Sequence, residues 1–430
     1  MKIHVVQPLE TIESIAALYG VTPTSIIRDN EINPVLELIP GQTLVIVYPI
    51  QTYTIQEGDS LSDIAQMHQV TVVQLLRYNP HLSDREALIP GEIITIRYDN
   101  SKGRITTNGY VNPFIRRDIL RKTLPNLTYL SIFGYRTTED AEIIGIDDTE
   151  IIQMAKNYGV APIMLLSTLT YQGEGSLEVS RQILSNPELT DRHIENILII
   201  LREKKYYGLN ITFQFLNKQN SMTYEVYTIK LKERLSREGF LVFITLVPEI
   251  LLDQNNVAFE RINYSVLGEQ ADGITMMNYN WGFSYGPPDP VSSIYLMRTF
   301  LNYALTMIDP AKIDIGMPII GYDWELPYIP GITRANSLTL TSVLDLAREY
   351  HSTIYFNEQS KTPYFQFATH YRNLFTQHIV WFIDARSIDA LVHMVQEYQL
   401  AGTGIWNIMN YYPQMWLVIN SQYEIESIPL

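Results

Sequence analysis

The sequence predicts an α/β protein in which a (β/α)₈ barrel with a small α+β insertion follows two copies of a βααβ module. Three observations predict this architecture: an internal repeat in the first hundred residues, alternation of β-rich and helical stretches afterwards, and one gap too long for an ordinary crossover. The predicted boundaries are 1–49 and 50–98 for the modules and 105–430 for the barrel.

The internal repeat aligns positions 11–16 with positions 60–65 at an offset of 49 residues. The aligned segments read Thr-Ile-Glu-Ser-Ile-Ala and Ser-Leu-Ser-Asp-Ile-Ala, and an Ile-Pro-Gly turn recurs at 39–41 and 89–91. In each copy the leading Thr or Ser is a helix cap, and the Pro-Gly turn starts a closing strand. Each copy is therefore predicted to be a βααβ unit.

This pattern resembles LysM, a small module that binds glycans containing N-acetylglucosamine. The second copy has the usual opening of that module, Tyr-Thr-Ile-Gln-Glu-Gly-Asp-Ser-Leu, at 53–61. The first copy has Leu9 and Glu10 where the second has Gly58 and Asp59, so we expect its groove to be altered. The alternative is that the two units only form a spacer.

After a polar segment at 99–104, eight β-rich runs occur at the spacing of βα units, which predicts a TIM barrel with insertions. The predicted strands are Leu127–Ile132, Ile163–Leu166, Leu209–Phe215, Leu241–Leu246, Gly273–Met277, Ile313–Ile320, Ile379–Phe382 and Gly404–Asn407. The long gap before the seventh run predicts an inserted α+β lobe at about 325–377. Active residues of such barrels lie at the carboxyl ends of the strands.

Composition excludes several kinds of chemistry. The chain has no cysteine, which removes disulfides, thiolate catalysis and Cys-type metal sites. The eight histidines lack metal-ligand spacing and no Gly-rich phosphate loop follows a strand, so we expect neither a metal nor a cofactor. The net charge of −15 and the lack of a basic run argue against nucleic-acid or membrane partners.

Aromatic and polar residues mark three predicted strand ends: Asn278, Tyr279 and Trp281 on the fifth, Tyr322, Asp323 and Trp324 on the sixth, and Trp406 on the eighth. Sugars stack their apolar faces on aromatic rings while their hydroxyls meet polar neighbours. A single Trp is more often a core residue, but one Trp at each of three strand ends predicts a sugar cleft.

Two LysM copies followed by a barrel with Met-x-Tyr, Gly-Tyr-Asp-Trp and a final strand ending in Trp resemble the family 18 glycoside hydrolases. The Trp-Phe-Ile-Asp-Ala-Arg-Ser segment at 381–387 and the Gly-Pro-Pro turn at 286–288 narrow the resemblance to spore cortex-lytic N-acetylglucosaminidases of the SleL/YaaH type. The resemblance covers nearly the whole chain. It implies peptidoglycan or cortex glycan containing N-acetylglucosamine as the partner.

That family carries Asp-x-x-Asp-x-Asp-x-Glu on the strand corresponding to 207–214, which implies a Glu general acid and a preceding Asp that orients the substrate's 2-acetamido group. Here Gln214 stands at the acid position, Thr212 at the orienting position and Asn210 at the Asp before it. An amide has no proton to lend near neutral pH, so an acid–base contribution of about 10²–10⁴-fold is expected to be lost. Both side chains can still hydrogen-bond a glycan.

Two alternatives to a lost activity remain open. An engineered trap would explain Gln214 but would not also need Thr212 and Asn210. Another carboxylate could act as a surrogate acid, and Glu249 and Asp323 are the candidates. The preferred interpretation makes Asp323 a contact for a sugar hydroxyl and Glu249 a solvated loop charge.

Three hypotheses about function follow. The first is a peptidoglycan-binding protein with little or no hydrolysis, and the second is an active N-acetylglucosaminidase that degrades spore cortex fragments during germination. The third is a structural spore coat protein, whose partners would include other coat proteins. The resemblance implies deposition at the spore coat or cortex periphery from the mother cell. That location agrees with the expected lack of a signal peptide, since polar residues interrupt the first apolar stretch.

Overall fold

The fold is known from a computed structural model of the chain, which describes residues 1–167, 177–213, 216–248, 250–253, 256–277, 286–371 and 374–428. Within these ranges, every helix is too short or too polar to cross a bilayer. Short 3₁₀ helices lie at Pro80–Leu82, Leu124–Asn126 and Pro310–Lys312.

Each copy of the repeat folds as strand, helix, helix, strand. The elements are β1 (Lys2–Val5), α1 (Ile12–Tyr19), α2 (Pro23–Asn30) and β2 (Thr43–Ile46), then β3 (Gln51–Thr54), α3 (Leu61–His68), α4 (Val72–Tyr78) and β4 (Ile93–Arg97). The predicted helix caps form, since Thr11 accepts the N–H of Ser14 and Ser60 accepts the N–H of Asp63. In each copy the two strands pair antiparallel beside a small apolar core.

The loop that differs between the two copies keeps one backbone geometry. Leu9 adopts φ 69° where Gly58 adopts φ 88°, so a leucine occupies the left-handed region at this turn. Glu10 and Asp59 each accept the backbone N–H of the glutamine three residues earlier, at 2.7 Å. The substitutions in the first copy therefore change the side chains of this loop and leave its hydrogen bonding intact.

Eight parallel strands form the predicted TIM barrel. They are β5 (Arg104–Val111), β6 (Tyr129–Thr137), β8 (Ala161–Ser167), β9 (Gly208–Phe213), β10 (Leu241–Leu246), β13 (Gly273–Met276), β14 (Ile313–Pro318) and β20 (Gly402–Trp406). Each strand pairs with the next in chain order, and β20 pairs with β5 to close the ring. The predicted fold class is confirmed.

Helices surround the barrel between its strands. They are α5 (Arg117–Thr123), α6 (Thr149–Asn157), α7 (Leu177–Ser185), α8 (Pro187–Lys204), α9 (Ser221–Ser236), α10 (Ser265–Gln270), α11 (Ile294–Ala304), α13 (Ala385–Glu397) and α14 (Pro413–Asn420). The short strands are β7 (Ile143–Ile144), paired with β6, β11 (Ile250–Asp253), paired with β12 (Asn256–Phe259), and β21 (Glu424–Ile425), paired with β5.

The insertion between β14 and β20 is a five-stranded antiparallel sheet with one helix. It comprises β15 (Gly321–Leu326), β16 (Asn336–Leu338), α12 (Leu340–Glu349), β17 (Tyr355–Asn357), β18 (Thr362–Tyr371) and β19 (Leu374–Phe382). The strand order is β16-β15-β19-β18-β17. The sheet runs from 321 to 382, a few residues beyond each predicted bound.

One predicted barrel strand was wrong, and one true barrel strand was missed. Ile379–Phe382 is the end of β19 in the inserted sheet, and its apolar run reflects burial on both of its faces. The missed strand is β5, which reads Arg-Ile-Thr-Thr-Asn-Gly-Tyr-Val. Its Thr107 and Asn108 are buried and hydrogen-bonded, so an interior strand lacks the hydrophobic run that marks the others.

The first module is docked on the inserted lobe and the barrel. The N–H of Ile354 donates to the carbonyl oxygen of Pro40 at 2.9 Å. Arg386 Nη2 donates to the carbonyl oxygen of Gly41 at 3.3 Å. Arg386 also holds Asp384, the N-cap of α13, which gives the Asp-Ala-Arg-Ser motif a structural role. The module is therefore packed against the rest of the chain through its Pro-Gly turn.

The same arginine of each module reaches the next unit along the chain. Arg28 Nη1 donates to the carbonyl oxygen of Ile93 in the second module at 3.1 Å. Arg77, at the equivalent position 49 residues later, is buried and its Nε donates to the carbonyl oxygen of Pro125 at 2.7 Å. Equivalent arginines of the two modules therefore each donate a hydrogen bond to a backbone carbonyl of the unit that follows.

A buried carboxyl group lies near the amino end of the barrel. Asp314, the second residue of β14, accepts a hydrogen bond from Thr106 Oγ1 at 3.0 Å, and burial raises its pKa to about 7. An unfolded Asp titrates near 3.9, so between about pH 4 and 7 the folded state binds the proton more tightly. The free energy of unfolding contributed by this group therefore falls as the pH rises through that window.

We expect Asp314→Asn to be more stable than the natural chain at pH 8, by about 2–4 kcal/mol. The amide oxygen can accept the same bond from Thr106 and carries no charge to bury. Urea unfolding of both proteins at pH 5 and pH 8 measures the effect, and the gap is expected to shrink at pH 5. Asp345→Asn, on the exposed face of α12, is the matched control. The prediction would be contradicted if the free energy of unfolding changed equally between pH 5 and pH 8 in the natural chain and in Asp314→Asn.

Candidate active site

Polar side chains from four strands meet inside the barrel around Asn210 of β9. The amide Nδ2 of Asn210 donates to Tyr110 Oη at 3.1 Å and to Ser131 Oγ at 3.2 Å. Its Oδ1 accepts from Thr245 Oγ1 at 2.9 Å, and Tyr110 and Thr245 share a 2.8 Å bond. These partners belong to β5, β6 and β10, so the amide lies in the barrel interior and all its bonds go to neutral groups.

Thr212 lies two residues further toward the carboxyl end of β9, on the same face of the strand. It pairs in register with Thr245 of β10 and Ser167 of β8. Its hydroxyl is buried and finds no hydrogen-bond partner within the described ranges. A buried hydroxyl without a partner costs about 1–3 kcal/mol, so this position holds an unused donor and acceptor at the carboxyl end of the strand.

An aromatic layer lies at the same end of the barrel. Trp406, the last residue of β20, is half-buried and contacts Tyr110 and Phe133 edge-on, with ring centroids 5.9 and 6.0 Å apart. Tyr110, Phe133 and Met277 are buried beneath it. Burial raises the pKa of Tyr110 to about 12, so its hydroxyl stays neutral. Trp406 therefore lies at the end of a barrel strand, as the sequence predicts, and part of its ring is accessible to solvent.

Tyr322, Asp323 and Trp324 do not directly follow the strand that the sequence analysis counted as the sixth, which is the seventh strand of the barrel. That strand, β14, ends at Pro318, and the three residues belong to β15 of the inserted lobe. The ring of Trp324 is 3% exposed, and its Nε1 donates to the carbonyl oxygen of Gly286 at 2.9 Å. Trp324 packs with Tyr322 in an apolar cluster of the lobe, so its glycan contact stays a prediction.

Asp323 points to the face of β15 opposite Tyr322 and Trp324 because side chains alternate along a strand. His378 Nδ1 lies 3.0 Å from its Oδ1, and His378 Nε2 lies 3.3 Å from Thr369 Oγ1. Burial raises the pKa of Asp323, while the neighbouring His378 acts to lower it. Asp323 is therefore held by His378, and its roles as a sugar contact or a surrogate acid stay predictions.

Five predicted site residues lie outside the described residues: Gln214, Glu249, Asn278, Tyr279 and Trp281. Their roles stay predictions. Tyr110, Ser131 and Thr245 were missed by the sequence analysis, and the polar residues that interrupt their strands are the signal that could have found them. In the part of the chain that the structure describes, no group of three His, Asp or Glu side chains could hold a metal ion.

The barrel, its mouth and the tandem modules define the class of protein. The model of the glycosyl hydrolases family 18 matches residues 178–410, and the LysM domain model matches residues 4–47 and 53–97. The chain therefore belongs to glycosyl hydrolase family 18 and carries two LysM domains, which confirms the resemblance drawn from its motifs.

Within this family, the chain is similar over nearly its full length to enzymes of sporulation and of the spore cortex. The putative sporulation-specific glycosylase YdhD of Bacillus subtilis is 29% identical over 97% of this chain and 98% of its own. The cortical fragment-lytic enzyme of Bacillus subtilis is 29% identical over 99% of each chain. The crystal structure of the Bacillus megaterium spore cortex-lytic enzyme SleL matches with a TM-score of 0.80 at 29% identity, covering 99% of both chains.

Proposed function

We propose that this family 18 protein binds N-acetylglucosamine-containing glycan of the spore cortex and hydrolyses it little or not at all. The observation that carries the proposal is Thr212, whose buried hydroxyl has no hydrogen-bond partner among the residues that the structure describes, at the position where the family resemblance implies an orienting carboxylate. Gln214 in place of the acid Glu supports the same conclusion from the sequence.

The electrostatics of the barrel interior support a loss of turnover. Hydrolysis with a substrate acetamide as nucleophile develops positive charge, which a carboxylate stabilises far better than a hydroxyl does. Two residues before Thr212 on the same strand, Asn210 hydrogen-bonds to the hydroxyls of Tyr110 and Thr245, and none of these three groups is ionised at neutral pH. This neutral network offers hydrogen bonds to a ligand and no charge to a transition state.

The features needed for binding are retained. The partly exposed ring of Trp406, which packs on Phe133, offers a stacking surface. The hydroxyl of Thr212 offers a donor to a sugar or acetamide oxygen. Two LysM domains add further glycan contacts. The cortex as the location rests on the similarity to cortical fragment-lytic enzymes. Coat proteins as additional partners rest on the family resemblance alone.

The proposal is tested by incubating the purified chain with cortex fragments and measuring bound glycan and newly released reducing ends. We expect binding without product. Trp406→Ala is expected to weaken the affinity for short N-acetylglucosamine oligomers about tenfold or more, because the stacking surface is lost. Thermal melting of the variant shows whether it still folds.

Release of reducing ends by the natural chain would instead establish an active N-acetylglucosaminidase. Loss of that release in Glu249→Gln or Asp323→Asn would then identify the surrogate acid. A natural chain that binds neither cortex fragments nor short oligomers would leave the structural coat protein as the remaining hypothesis.

A further inference from the structure

Four aromatic rings form a row across one face of the inserted sheet. Tyr355 of β17 lies opposite Tyr364 of β18, Tyr364 lies opposite Trp381 of β19, and Trp381 lies opposite Tyr322 of β15. The ring centroids of Tyr355 and Tyr364 are 5.8 Å apart and those of Tyr364 and Trp381 are 4.6 Å apart, with planes tilted by 33° and 34°. Three strand spacings of about 4.8 Å give this aromatic row a length of about 14 Å.

The exposure of the aromatic row increases from one end to the other. Tyr322 and Trp381 are 9% and 8% exposed, Tyr364 is half-buried and Tyr355 is 56% exposed. The opposite face of the same sheet packs into the main core through residues such as Phe365. The inner rings therefore hold the outer ones in place, and Tyr355 at the outer end is the ring most exposed to solvent.

Cross-strand pairing alone does not account for this row. Aromatic pairs stabilise a sheet, which explains why the rings face one another. It does not explain why the indole N–H of the buried Trp381 lacks a hydrogen-bond partner among the described residues. A buried donor without a partner is costly and points to a group that the structure does not hold, such as a ligand oxygen.

The two ends of the aromatic row lie next to the two kinds of glycan-binding unit. Tyr322 is four residues beyond Pro318, the carboxyl end of barrel strand β14. Tyr355 follows Ile354, whose N–H bonds to Pro40 in the turn of the first LysM domain. The row therefore spans the lobe between the barrel mouth and that domain.

We propose that the aromatic row is a binding track for a linear polysaccharide of N-acetylhexosamines, running over the inserted lobe between the barrel mouth and the first LysM domain. A sugar ring stacks on Tyr355, the polar edge of Tyr364 lies beside it, and a ligand oxygen accepts the N–H of Trp381. The inference rests on the proposed function for the class of ligand and adds a site outside the barrel mouth.

The test compares the affinity of the full chain for long peptidoglycan glycan strands with its affinity for short N-acetylglucosamine oligomers. Tyr355→Ala is expected to weaken binding of the long strands about threefold to tenfold and to leave the short oligomers unchanged. Tyr355→Phe keeps the ring and is expected to bind as the natural chain does. Met222→Ala, which removes an exposed apolar side chain from α9, is the matched control.

The outcomes separate this inference from the proposed function. In one outcome, Tyr355→Ala leaves the affinity for long strands unchanged while Trp406→Ala reduces the binding of short oligomers. That outcome overturns the proposal for the aromatic row and leaves the proposed function standing. A loss of long-strand binding in Tyr355→Ala, with no effect of Trp406→Ala on either ligand, supports the row and overturns the cleft at the barrel mouth. A natural chain that binds neither glycan overturns both.

Discussion

Replacing Thr212 by Asp and Gln214 by Glu together is expected to produce hydrolysis of cortex fragments by this chain. The Glu would supply an acid that can lend a proton to the leaving oxygen, worth about 10²–10⁴-fold. The Asp would supply charge stabilisation that the neutral network of Tyr110, Thr245 and Asn210 does not. Its carboxylate would replace a hydroxyl that now makes no hydrogen bond within the described residues.

The two substitutions are expected to act as a unit. Catalytic groups that serve one step are strongly non-additive, so either single variant is expected to remain close to the natural chain. Reducing-end release per enzyme is the measurement. Thr212→Asn with Gln214→Glu is the matched control, because Asn has nearly the shape of Asp and lacks its charge. A folded, glycan-binding double variant that releases no product would show that more of the cleft than these two side chains has changed.

The second large effect is expected at Gly41, in the turn that docks the first LysM domain. Gly41 and Gly91 occupy the same Ile-Pro-Gly motif with φ 88° and 89°. A Cβ added at Gly41 would lie 1.9 Å from the carbonyl oxygen of Ile354, whereas one added at Gly91 would meet nothing within 4 Å. Both alanines bear the strain of a left-handed residue, about 1–2 kcal/mol, and only Gly41→Ala also forces the domain away from the lobe.

We expect Gly41→Ala to lower the free energy of unfolding by about 3–5 kcal/mol and Gly91→Ala by about 1–2 kcal/mol. Urea unfolding of the two variants beside the natural chain measures the difference. Limited proteolysis of the segment between the LysM domains gives a second readout, since an undocked first domain exposes it. If both variants lost the same free energy of unfolding, the backbone at Ile354 would have moved away from the added Cβ at no energetic cost, which would contradict the prediction.

The barrel was predictable because its strands are buried on both faces. Strands such as β10 and β13 read as short apolar runs between helical stretches, which is what a parallel sheet covered on both sides requires. The same rule failed at β5, whose interior face carries Thr and Asn, and at Ile379–Phe382, whose run belongs to a sheet outside the barrel. Hydrophobicity reports burial and does not distinguish a barrel strand from a strand of an inserted sheet.

The candidate site was predictable only in part. Asn210 and Thr212 could be found because they share one strand with a motif that the family resemblance supplies. Tyr110 lies 100 residues before Asn210 and Thr245 lies 35 after it, so only closure of the barrel brings their hydroxyls to one amide. Local periodicity carries no information about such contacts.

By itself the sequence determined the class of this protein, a repeated βααβ unit followed by a barrel of the family 18 type. The assignment of Thr212 and Gln214 to the positions of the catalytic carboxylates stays a prediction. Only the tertiary structure decided how these parts meet. Two Ile-Pro-Gly turns with the same local sequence and nearly the same φ differ because one packs against Ile354 and the other faces solvent. Backbone geometry follows from nearby residues, whereas a docking contact depends on chain segments about 300 residues apart that meet only after folding.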